Sequence, residues 1–190
     1  MNVFVCPGIH EQQLTEEFLE VLTGEETGIL PTSSDQQVLI FPSQDYPPYS
    51  AVHVLDFLRS HNSIENPVIF ISFSAGVVGA IGTAWGWQLG GGKVKAFIAI
   101  DGWGVPLSGN FPIHRLSHDY FTHWSSALLG AGEDSFYADR AVGHLDLWAK
   151  PDICQGWWVH PSESNRPQKR TFTTAAQFLK ELLRRSMLSL

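Results

Sequence analysis

The chain is expected to fold as an α/β protein: a mostly parallel central sheet with helices on both faces. Three observations predict this. Apolar β-rich runs alternate with segments of helical period, the order that a parallel sheet with crossover helices produces. The runs Asn2–Cys6, Pro67–Phe73 and Val94–Ile100 are apolar nearly throughout, as strands covered on both faces must be. No charged residue occurs between Glu65 and Lys93, so a strand and the helix after it should both be buried.

The elements follow in order. Asn2–Cys6 (NVFVC) is a short buried strand, broken by Pro7-Gly8. Leu14, Phe18, Leu19 and Leu22 recur at helical spacing among acidic residues, which predicts an amphipathic helix over 11–22, stopped at Thr23-Gly24. Gln37–Phe41 is a second strand, closed by Pro42 and a loop stiffened by Tyr46-Pro47-Pro48-Tyr49. Ser50 can cap a helix over 51–60 with Val52, Leu55 and Leu58 inward. Pro67–Phe73 is the third strand, Ala75–Gln88 the third helix, and Gly90-Gly91-Gly92 a stop. Val94–Ile100 is the fourth strand and ends at Asp101-Gly102. Periodicity then fails, so 102–152 is expected to be an irregular, cleft-lining insertion. Gln155–His160 can form a last strand. Thr173–Met187 is a terminal helix with Phe172, Ala176, Phe178, Leu179, Leu182 and Leu183 on its apolar face and cations late in it.

Length and composition bound the function. The 190 residues suit one domain spanning 1–190, and 44 % apolar residues with 7 Trp and 12 Phe supply a large core. A net charge of −7 argues against nucleic acid as a partner, because no basic patch is available to neutralise phosphates. Two cysteines are too few for a secreted disulfide scaffold, and Cys6 reads as a buried thiol. The first residues read as a strand without a basic flank or apolar leader, so a cytoplasmic location is expected. The uncharged stretch is long enough to cross a bilayer. It is nonetheless rich in Gly and Ser and opens on β-branched and aromatic residues, which fits a buried strand and helix and not a membrane span.

One motif carries chemistry. Val68–Gly76 (VIFISFSAG) places Ser72, Ser74 and Gly76 at the three fixed positions of a G-x-S-x-G nucleophile elbow. A strand must turn sharply into a helix there, leaving the central hydroxyl exposed, and bulk two residues either side would collide with the turn. Ser74 is the first candidate for a reactive residue.

With that motif on the third strand of a strand–helix series, the chain resembles the α/β-hydrolase superfamily over most of its length. It looks like a small, lid-poor member, with Ser72 in place of the first glycine. The resemblance implies a three-layer sandwich and a Ser–acid–His order along the chain. Asp101, at the end of the fourth strand and one strand over from Ser74, is the expected acid; Asp119 and then Asp139 are alternatives. Gly143–Trp148 (GHLDLW) is similar to the segment carrying the catalytic histidine in acid-lipase-type hydrolases, which implies His144 as the base. His160 is the alternative. The resemblance also implies an oxyanion hole from the backbone N–H of Ala75 and of Ile9 or His10. No cofactor is expected. The stretch Asp101–Trp124 holds His114, His118, His123 and Asp119, residue types that bind zinc, but their spacing matches no metal site, so none is expected. Trp103, Phe111, His118, Tyr120 and Trp124 are expected to line the substrate cleft, with Phe121 beside them.

The expected function is a serine hydrolase cleaving an ester or thioester of a small, mainly uncharged substrate through Ser74, Asp101 and His144. The alternative is a catalytically inactive protein of the same fold that binds a ligand or partner. Exposed aromatics around 103–124 or 157–158 would suit an interaction module. The oligomeric state is left open by the sequence.

Overall fold

The computed structural model of the chain describes residues 1–24, 37–161 and 168–188. Among these, eight strands form one sheet in the order β2-β1-β3-β4-β5-β6-β7-β8. The strands β1 (Asn2–Cys6), β2 (Val38–Ile40), β3 (Val68–Phe73), β4 (Val94–Ile100), β5 (Ile113–Ser117) and β6 (Ser135–Ala138) pair in parallel. The last two, β7 (Gln155–Val159) and β8 (Arg170–Thr174), add antiparallel at one edge.

The helices divide between the two faces. Alternate residues of β1, β3 and β4, such as Val5, Ile71 and Ile98, meet Phe18 and Leu22 of α1 (Gln12–Thr23), Trp148 of α5 (His144–Ala149) and Phe178 and Leu182 of α6 (Ala175–Leu188). The intervening residues Phe4, Phe70 and Phe97 meet Leu58 of α2 (Ala51–His61) and Val77, Ala80 and Trp87 of α3 (Ala75–Leu89). Period-two alternation therefore feeds two cores at once, which explains why β1 and β3 are buried at every position.

The uncharged stretch is accounted for by β3 and α3. Gly79 of α3 lies against the Pro48 carbonyl, Gly82 against the Ala51 methyl and Gly86 against Leu55, so α3 and α2 approach along a glycine face. No helix among the described residues is long and apolar enough to cross a membrane.

Three expectations change. The segment 102–152 is not irregular throughout: it contains β5, β6, α5 and α4 (Tyr120–Ala127). Short strands holding His114, Arg115 and Ser135 give no apolar run to detect, because Arg115 satisfies itself on the carbonyl oxygens of Gly130, Val105 and Leu129. Gln155–His160 is not the last strand, since β8, a polar edge strand (RTFTT), precedes a helix that starts at Ala175. In α2, Val52 is exposed and Val54 inward; Ser50 stands at the N-cap, but its hydroxyl meets the His53 ring at 2.8 Å and not a backbone N–H.

Sheet order places the site. The chain leaves β1 toward β2 on one side and returns to β3 on the other, so the order reverses across β1. The carboxyl ends of β1 and β3 therefore open a crevice, the usual ligand position in open α/β sheets.

Candidate active site

Ser74 sits at the corner between β3 and α3 with φ 52° and ψ −122°. Asp101, at the carboxyl end of the neighbouring strand β4, has φ 51°. They are the two non-glycine residues of positive φ among those described, and such backbone strain persists only where the surroundings enforce it. The enforcement is visible in the packing. The Ser74 N–H donates to the Ile100 carbonyl at 2.9 Å, and the Asp101 N–H to the Leu116 carbonyl at 2.8 Å, so each corner is pinned to the next strand.

The residues around Ser74 explain the motif. The buried Ser72 hydroxyl donates to the Ile98 carbonyl at 3.2 Å, so a serine fits the first position at no cost in unpaired polar groups. A methyl added to Gly76 would overlap the carbonyl oxygens of Cys6 and Pro7, and one on Gly8 would come within 3.0 Å of the Ser74 Cβ. These two glycines bring the loop after β1 against the serine corner. Gly76→Ala is therefore expected to cost about 3 kcal/mol, since neither obstacle is a flexible side chain. A urea midpoint unchanged from wild type would show that the corner can open.

Ser74, His144 and Asp101 come together. His144 Nε2 lies 3.1 Å from Ser74 Oγ, and His144 Nδ1 lies 2.8 Å from Asp101 Oδ2. With Nδ1–H donating to the carboxylate, Nε2 is the acceptor facing the hydroxyl. The His144 ring is held from behind by Phe73, the residue before Ser74, at a centroid distance of 4.6 Å. Phe73 in turn stacks on Trp148 at 4.9 Å, and Trp148 on Phe18 at 3.8 Å. His144 and Trp148 are one helical turn apart on α5, so the GHLDLW segment presents the imidazole and its support on one face. Phe73 is a supporting residue that the sequence did not distinguish from plain core.

Asp101 is 5 % exposed. Burial raises its pKa, but hydrogen bonds from His118 and His144 outweigh that and hold the carboxyl below its usual range. His118 contributes two of these contacts: its backbone N–H donates to Oδ1 at 2.9 Å and its Nδ1 lies 2.9 Å from Oδ2.

Ser74 and Asp101 open on a cavity of about 540 Å³. Its apolar wall comes from Val78, Trp103, Val105 and Phe121, and no Lys or Arg among the described residues lines it. Ala75 and His118 border it. Ala75 begins α3, so its N–H belongs to the helix's unpaired first turn and is available to a ligand. Ile9 is 69 % exposed on the loop after β1. His10 packs on Phe73 and Trp148, and burial, ahead of a smaller influence from His144, lowers its pKa.

Other candidates lie elsewhere. Phe111 is buried against Phe97 and Trp85 and lines no part of this cavity, because its loop folds into the α3 core. Tyr120 and Trp124 face a separate crevice with Arg115 and Arg170, since α4 turns that side toward β6 and β8. His160 stacks on Trp158 and meets Thr171 Oγ1 at 2.9 Å, on the antiparallel edge that carries it away from the serine corner. Asp119 borders the cavity but caps α4, accepting from the Thr122 N–H at 2.6 Å, and faces His118 instead of His144. Asp139 accepts from the Trp157 indole.

The zinc-type residues of 101–124 do not converge as a group. His114 meets Asp134 in β5's neighbourhood, and His123 packs on Tyr137. The group that does converge among the described residues is Asp101, His118 and His144, with donor atoms within 4.8 Å of one another. Zinc bonds of about 2.0–2.1 Å would set tetrahedral ligand atoms about 3.3 Å apart. The Nδ1–Oδ2 distances of 2.9 and 2.8 Å are those of hydrogen bonds.

No protein-family model matches the chain, and no curated protein matches it.

Proposed function

We propose that the chain is a serine hydrolase with an α/β-hydrolase-like sandwich, cleaving an ester or thioester of a small, mainly uncharged molecule. One observation carries the reading: an unbroken hydrogen-bonded line from Ser74 Oγ through His144 to the buried Asp101 carboxylate. The chain order serine, acid, histidine supports it, as do the strained corners at Ser74 and Asp101.

In this mechanism Ser74 Oγ attacks the acyl carbon while its proton passes to His144 Nε2. Asp101 holds the ring with Nδ1–H inward and stabilises the imidazolium. The developing oxyanion is met by the Ala75 N–H and by an N–H of the Ile9–His10 loop; one such donor is worth about 3–4 kcal/mol. The imidazolium then protonates the leaving alcohol or thiol. Water, activated by the same imidazole, releases the acid and restores Ser74. The apolar wall of Val78, Trp103, Val105 and Phe121 favours an uncharged acyl or alcohol portion.

A fluorophosphonate probe tests the proposal. The folded protein should be labelled, with the adduct mapped by mass spectrometry to the peptide containing Ser74. A folded sample that takes no label favours a ligand-binding protein without catalysis.

A further inference from the structure

Asp101 accepts from two imidazoles, yet the line to Ser74 uses only one. His144 and His118 both direct Nδ1 at the same oxygen, Oδ2, at 2.8 and 2.9 Å. The His118 backbone N–H occupies Oδ1. The carboxylate is thus enclosed by two histidines, and its side chain is 1 % exposed. Beyond the ring, His118 Nε2 lies 3.6 Å from Asp119 Oδ2. His118 therefore sits between two carboxylates. The His144 ring stands edge-on to it at 5.9 Å.

We infer that His118 is a positioning residue that shares the orienting carboxylate with His144 and sets the pH range over which Ser74 is activated. The inference rests on the hydrolase reading above. Neutral His118 donates one N–H to Asp101 and leaves the carboxylate's charge available to His144. Protonated His118 makes an ion pair with Asp101 on one side and Asp119 on the other. That positive charge offsets the negative charge on which the His144 imidazolium depends in the transition state. The two rings share one carboxylate oxygen, so positive charge on His118 opposes positive charge on His144. The hydrogen bond to Asp101, partly opposed by burial, raises the basicity of His118 above that of an ordinary histidine, and the charge of Asp119 adds to this. Activity should consequently fall in two steps as pH decreases. One step is protonation of His118; the other is protonation of His144, the base itself.

The test compares kcat/KM for p-nitrophenyl butyrate over about pH 5 to 9 in wild type, His118→Asn and His118→Gln, alongside an NMR titration of the His118 ring in wild type. Wild type should lose activity through two ionisations. Both amides can still donate to Oδ2 but cannot gain a proton, so each variant should show a single ionisation, with a plateau reduced by up to about tenfold. A merely structural role for His118 would lower activity equally at every pH. An active wild type whose acid limb has the shape of the His118→Asn limb overturns this inference alone. So does a His118 ring that titrates at or below the ordinary value of about 6.5. A wild type that neither turns over ester nor takes the fluorophosphonate overturns the hydrolase reading and this inference with it.

Discussion

Ser74→Ala is expected to lower ester turnover by about four orders of magnitude or more, because no other group near His144 can form the acyl intermediate. The variant should fold normally. Alanine keeps the Cβ, so the positive φ of 52° remains as strained as in wild type. Ser74→Gly should lose the same activity but gain about 1 kcal/mol of stability, since glycine adopts that φ freely. A thermal melt of the three proteins separates the effects. Equal stability of the glycine and alanine variants would show that the corner is not strained, and retained turnover in either would remove Ser74 from the mechanism.

Asp101→Asn carries the second large effect. Asparagine tolerates positive φ, so the corner at the end of β4 should hold. The carboxylate is replaced by an amide with a single acceptor oxygen; with that oxygen held at the Oδ1 position by the His118 backbone N–H, its NH2 faces both imidazoles. His144 then loses the acceptor that keeps its proton on Nδ1. The other tautomer presents an N–H to Ser74 Oγ and cannot take its proton. A loss of about 10⁴ in kcat is expected, with KM little changed. A loss below tenfold would mean that another group orients His144. The same variant should alter acid unfolding. The folded pKa of Asp101 is depressed, because the two histidine hydrogen bonds outweigh burial. Its contribution to stability is therefore present above the unfolded value of about 3.9 and lost as pH falls through the lower folded value. Asp101→Asn should remove that part of the acid transition.

Among the described residues up to 100, β1, β3 and β4 were legible because they are nearly continuous apolar runs, and α1 because its apolar residues recur at helical spacing. The helix α2 was placed but its inward face was not, since Val52 is exposed and Val54 buried. The corner at Ser74 was legible because its geometry restricts the residues on either side. His144 and Asp101 were reached through chain order and a short resemblance, and neither periodicity nor composition pointed to them. From β5 onward the pattern fades. His114 and Arg115 lie in a buried strand whose polar groups find partners in loops far along the chain. Phe111, Tyr120 and Trp124 are as aromatic as Trp103 and Phe121, and only the direction of α4 and its preceding loop separates cleft from core. His118 was read as a lining residue; its bond to Asp101 joins positions whose proximity depends on the pairing of β4 with β5.

The column of rings Phe18, Trp148, Phe73 and His144 ties the base to the far side of the domain. Only six residues of α5 carry His144, and they lie outside the sheet. Loosening α1 should therefore misalign the imidazole while the strands stay paired. In Phe18→Ala, heat inactivation should set in several degrees below loss of the far-ultraviolet circular dichroism signal. Wild type should lose both together. In the proposed hydrolase, durability of turnover is then decided at a helix that contributes no reacting atom.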